Sequence, residues 1–171
     1  AAPTAAAWRE AGILRQDDEP TVTLHQRRWT DREGRPPAAT GVLCRLGLEP
    51  YGPGAGVLPH EKTHGGPKAD RYALLEATQL NTSPLVFLAG SDPAATSAAL
   101  LALTEREPDA YGTTADGVRH RLWIVDGQAA ERVLELLRAQ PITSAVGPHR
   151  SETARRYRRD QAGERPAEGE P

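Results

Sequence analysis

The stretch Pro141-Ile142-Thr143-Ser144-Ala145-Val146-Gly147-Pro148-His149-Arg150-Ser151-Glu152-Thr153 constrains the fold of this chain more than any other. A short apolar run suits a buried strand, a glycine permits a tight reversal, and the residues from Arg150 suit a helix. A strand that turns into a helix implies helices layered on a sheet. The same joint collects free backbone N–H groups, a helix N-terminus and a guanidinium at one point, which suits a phosphate.

The rest of the chain repeats this alternation. Thr4 to Leu14 reads as a short helix with Trp8, Ala11 and Leu14 on one face, and Asp17-Asp18-Glu19-Pro20 breaks it. Thr21 to Trp29 and Thr40 to Leu48 read as an antiparallel hairpin around the turn at Thr30 to Gly34. Pro50 to Gly66 is rich in glycine and proline and reads as loop. Helices are predicted over Lys68–Leu80, from Asp92-Pro93 to Glu105, after Asp126-Gly127, and over Arg150–Asp160. Strands are predicted over Leu85–Ala89, Gly117–Val125 and Ile142–Val146. The order predicts an α/β (α+β) fold, a mixed sheet with packed helices, in one domain over residues 1–160. The Gly/Pro/Glu-rich remainder, 161–171, reads as a disordered tail.

Composition removes several function classes. A formal net charge of −2 gives no bulk attraction to nucleic acid or to a membrane surface. No apolar run reaches the roughly 20 residues needed to span a bilayer. The lone Cys44 rules out an internal disulfide framework and fits a reducing, cytoplasmic setting. Methionine is absent even at position 1, which predicts a piece of a longer protein.

Two further segments carry candidate chemistry. His60-Glu61-Lys62-Thr63-His64 matches the H-E-x-x-H pattern of zinc hydrolases, which needs both histidines one turn apart on a helix. Pro59 before it and Gly65-Gly66-Pro67 after it oppose a helix, so a solvated polar loop is the better reading and no metal is expected. On the strand Gly117 to Val125, Arg119 or His120 could meet an anion, although on these residues alone a charged exposed strand face is the favoured reading. Arg150, Arg155, Arg156, Arg158 and Arg159 make the last helix basic, but they surround it rather than forming a stripe, which argues for a solvated face over nucleic acid.

Taken together, these segments resemble the bacterial and archaeal family known as domain of unknown function 1015. Its members carry a proline-His-Glu-x-Thr segment, here Pro59-His60-Glu61-Lys62-Thr63, then Lys68-Ala69-Asp70-Arg71 and Asn81-Thr82-Ser83-Pro84. A Gly-Val-Arg-His-Arg-Leu-Trp strand follows at Gly117 to Trp123, and an Ala-Asp-Gly-His-His-Arg turn corresponds to Ala145 to Arg150. The matches run in order from about Trp8 to Tyr157. In the family the second histidine of the zinc pattern does not recur, so His64 reads as incidental.

The family's turn is similar to one in free-serine kinases of the ParB/sulfiredoxin-like superfamily, where such a turn holds nucleotide phosphates. The resemblance therefore implies a ParB/sulfiredoxin-like fold and phosphoryl transfer to a small hydroxyl compound, with ATP or ADP and Mg²⁺. Glu61 would be the base toward the hydroxyl, flanked by His60 and Thr63, while Gly147, His149, Arg150 and Ser151, with Arg119 and His120, would hold phosphates. Asp70, Arg71 and Asn81 would support them. Two residues depart from the family: Val146 replaces its aspartate, and Pro148 removes an imidazole and a backbone donor. The alternatives are an inactive binding or interaction module and, behind it, a zinc hydrolase using His60, Glu61 and His64.

Overall fold

A computed structural model describes residues 2–49, 56–58, 66–89 and 92–163, without the side chains of 67, 68, 148 and 149. Their elements run α1 (Ala2–Glu10), β1 (Val22–Arg28), β2 (Ala38–Leu43), β3 (Val57–Leu58), α2 (Gly66–Thr78) and β4 (Val86–Ala89). Then come α3 (Pro93–Ala102), β5 (Ala110–Thr113), β6 (Arg119–Val125), α4 (Gly127–Arg138), β7 (Ile142–Val146) and α5 (Pro148–Ala162). The fold is of the α+β class, as its sequence predicts. Its strands divide between two sheets, and the chain between two compact units.

One unit comprises Asp17–Leu46 and Ala89–Gln140 and holds a four-stranded antiparallel sheet in the order β2-β1-β6-β5. Strict alternation along β1 buries Val22, Leu24 and Gln26 and turns Thr23 and His25 to the other face. The register sets Leu24 opposite Trp123 and Val22 opposite Val125, so one face of β6 joins the same core. Leu100 of α3 and Ala130 and Val133 of α4 complete it. The indole of Trp123, 1% exposed, donates its N–H to the Arg106 carbonyl at 2.9 Å, which satisfies the one polar atom of a large buried ring. Asp92 caps α3 by accepting from the Ala95 amide at 2.9 Å, with Pro93 at the first helical position. Buried Gln140 donates to the Thr96 hydroxyl at 3.0 Å, and Thr96 donates to the Asp92 carbonyl at 2.8 Å.

The other unit comprises Ala1–Gln16, Gly47–Leu88 and Pro141–Pro171, with a three-stranded sheet in the order β3-β7-β4. β3 and β7 run parallel, Val57 beside Ile142. Helices α2 and α5 pack together: the Tyr72 hydroxyl donates to the Asp160 carboxylate at 2.6 Å, Tyr157 meets the Tyr72 ring edge-on, and the Arg156 guanidinium lies 4.7 Å from its centroid. The bond to Asp160 pushes the Tyr72 phenol up to about 12.

Several boundaries differ from expectation for local reasons. α5 begins at Pro148 rather than Arg150, because proline is pre-set for the first helical position and needs no donor there. α3 ends at Ala102, where the Thr104 hydroxyl and amide both bond back to the Leu101 carbonyl. β5 was not expected, since Tyr111-Gly112-Thr113 offers no burial alternation and all four of its residues are exposed. α1 buries none of its residues, and Trp8 is 47% exposed. The tail beyond residue 163 lies outside the described residues.

Candidate functional site

The joint between β7 and α5 has the geometry that its sequence suggests. Gly147 sits at φ +90°, in the left-handed region that a glycine adopts without strain. Its carbonyl accepts from the Arg150 amide at 3.0 Å, which closes the first turn. The Arg150 side chain folds back over that turn, so a Cβ on Gly147 would stand 3.3 Å from the guanidinium carbon. One guanidinium nitrogen donates to the Pro84 carbonyl at 2.6 Å, which ties the start of α5 to the loop after α2.

Arg150 also lines a small, half-open cleft. Arg71, Leu74 and Leu75 of α2, Leu80 to Ser83 of the following loop, and Arg150 and Thr153 of α5 line it. The Asn81-Thr82-Ser83-Pro84 segment and Arg71, singled out from the sequence, are thus brought beside Arg150. Among its three leucines, the two guanidiniums, one amide and three hydroxyls are groups that can meet a compact oxyanion by charge-assisted bonds. No carboxylate lines the cleft among the described residues, so this donor set fits a phosphate or carboxylate rather than a bare cation.

The loop that supplies Asn81 begins with a conformational exception. Gln79 has φ +54°, and among the described residues it is the sole non-glycine residue with positive φ. It ends α2 with its amide bonded to the Leu75 carbonyl at 2.7 Å, while the Thr78 hydroxyl bonds the Leu74 carbonyl and accepts from the Leu80 amide. This reversal carries residues 80–83 back across the end of α2.

The other expected site residues fall elsewhere. Glu61, His60, Thr63 and His64 lie outside the described residues, as does the His149 side chain. Asp70 is exposed on α2 and does not line the cleft. Ser151 is buried in the first turn of α5. Arg119 and His120 belong to β6 of the four-stranded unit, where Arg119 is exposed and His120 meets His25. Among the described residues no group of three His, Cys, Asp or Glu side chains could hold a metal ion. Thr153 and Leu74 were not anticipated; a helical spacing of three from Arg150 could have indicated Thr153.

The described residues form an α+β protein with a small cleft between α2, the loop after it and α5, lined by two arginines, three leucines and a few polar side chains. The whole chain, residues 1–171, matches the family described as protein of unknown function (DUF1015), and the chain belongs to that family. No curated protein and no solved structure matches it. Among the described residues no helix is long and apolar enough to cross a membrane.

Proposed function

We propose that this chain is a phosphate-binding domain and that its ligand is a small phosphorylated molecule, a nucleotide such as ATP or ADP being the leading candidate. The observation that carries the reading is the placing of Arg71, Arg150 and the Asn81–Ser83 loop around one cleft at the N-terminal end of α5. In this reading Arg150 and Arg71 neutralise phosphate charge, the amide and hydroxyls fix its orientation, and the helix end adds a favourable field. Mg²⁺ would arrive bound to the nucleotide, because the cleft supplies no carboxylate among its described residues.

Phosphoryl transfer to a small hydroxyl compound is the activity that the family resemblance suggests. It assigns Glu61 the role of base, with His60 and Thr63 beside it and His149 and Ser151 near the phosphates. The second reading, a binding module without turnover, is favoured by Val146 and Pro148, since neither can supply the polar side chain that the family has there.

Titration calorimetry with ATP, ADP and inorganic phosphate, each with and without Mg²⁺, tests the proposal. Binding tighter than the millimolar range is expected, and Arg150→Ala should weaken it by about 1.5–3 kcal/mol, the scale of a charged hydrogen bond. Absence of binding by the folded protein refutes the phosphate reading. Binding without phosphoryl transfer to any small hydroxyl compound leaves the module reading standing.

A further inference from the structure

The four-stranded sheet carries a feature that the phosphate reading does not use. On the face opposite its core, His25 of β1 and His120 of β6 bring Nε2 and Nδ1 within 2.9 Å. Their rings lie within 15° of one plane with centroids 5.2 Å apart. Facing nitrogens this close, on rings this far apart, mean that the imidazoles meet edge to edge and share a hydrogen bond. A face-to-face stack would hold the centroids closer.

The surroundings fix the direction of that bond. The Thr114 hydroxyl has one proton, and the Asp116 carboxylate is its nearest acceptor. Its oxygen, 3.4 Å from His120 Nε2, is left to accept from that ring. His120 therefore carries its proton on Nε2, leaving Nδ1 to accept from Nε2–H of His25. Every donor in the chain from His25 through His120 and Thr114 points toward Asp116.

Such a pair has a limited capacity for protons. One added proton can sit on His25 Nδ1 and leave the bond intact. A second must go to His120 Nδ1, which turns both facing nitrogens into donors and sets two cations edge to edge. We propose that His25 and His120 form a pH-responsive clasp between β1 and β6, closed near neutrality and opened by acid, whose release loosens the β5–β6 hairpin.

Few other charges bear on it. Opposite His25 stands Gly41 of β2, and opposite His120 stands Gly112 of β5; a Cβ at either would meet open space. Arg27, next on the same face of β1, opposes added positive charge. Asp116 on the turn before β6 favours it, and the remaining residues that β2, β5 and β6 place on this face carry no titratable group. Burial first, then His120 and Arg27, holds the His25 imidazole below its ordinary value. A group with a lowered folded value costs stability as pH falls through its unfolded value, so the clasp weakens on the acid side of about 6.5.

The test uses the full chain labelled with ¹⁵N. Side-chain spectra of the histidines from about pH 8 to about pH 4.5 should show both rings protonated on Nε2 when neutral, with His25 taking up its proton below its ordinary value. His120→Gln should raise the His25 value toward its ordinary one without reaching it, because burial and Arg27 still hold it down. Amide protection in β5 and β6, corrected for intrinsic exchange, should fall about tenfold or more between about pH 7.5 and about pH 5, the scale of one pKa unit, and by clearly less in His120→Gln. A His25 imidazole that titrates at or above its ordinary value in the wild type overturns the clasp, as does the same loss of protection in the variant. If His120→Gln does not fold, His25→Gln supplies the comparison from the other strand.

Discussion

Ser144 is 1% exposed at the centre of β7, and its hydroxyl has no hydrogen-bond partner among the described residues. A buried hydroxyl without a partner carries its desolvation cost uncompensated. Ser144→Ala is therefore expected to leave stability unchanged or raise it by up to about 1 kcal/mol in urea unfolding, and a loss of about 2 kcal/mol would reveal a missing bond. Asp109 presents the opposite case. Two bonds from Arg106, at 2.9 and 2.7 Å, and one from the Ile124 amide hold its carboxyl down at about 2. A carboxylate with a depressed folded value contributes stability that is complete above its unfolded value of 3.8 and lost as pH falls toward about 2. The pair is 48% and 37% exposed, so its contribution is screened to below about 1 kcal/mol. Asp109→Asn should reduce the loss of stability between pH 3.8 and about 2, measured as the urea midpoint; an unchanged slope there would assign acid sensitivity to other groups.

At the scale of an element, the end of α2 is where stability has been spent on shape. Gln79 holds a left-handed conformation that costs a residue with a Cβ about 1–2 kcal/mol relative to its right-handed form. Gln79→Gly should stabilise the chain by a few tenths to about 1 kcal/mol, the strain relief being partly offset by glycine's greater freedom when unfolded. Thermal unfolding reads this directly, and a lower midpoint would mean that the glutamine side chain supports the loop. The sequence gives no hint of this reversal, because Gln79 falls inside a helical pattern that runs from Lys68 to Leu80. It did announce Gly147, where an apolar strand, a glycine and the helix-forming residues from Arg150 each specify their own part of the joint, though not that Pro148 opens the helix. Local chemistry was legible where a residue type stands out for the backbone conformation it permits.

Longer-range placement was less legible. β1 and β6 were both evident as strands, but their pairing, and with it the meeting of His25 and His120, depends on a register that alternation alone leaves open. The cleft was half legible: Arg150, Arg71 and Asn81 were named, yet what joins them is a bond from Arg150 to the Pro84 carbonyl, an atom that every residue possesses. The division of strands between two sheets was hidden for the same reason, since element order constrains neighbours in sequence more than partners in space.

The central pairing of β1 with β6 has a further consequence, for synthesis. His25 and His120 are 95 residues apart, so the strand that covers one edge of β1 is made long after β1 itself. Until then the β1–β2 hairpin emerging from a ribosome presents a bare strand edge, with Leu24 and Val22 uncovered, for several seconds at about 5–20 residues per second. The loop closure needed to cover that edge is slow on the scale of local folding. A nascent chain of this kind is exposed to the wrong partner strand before the right one exists.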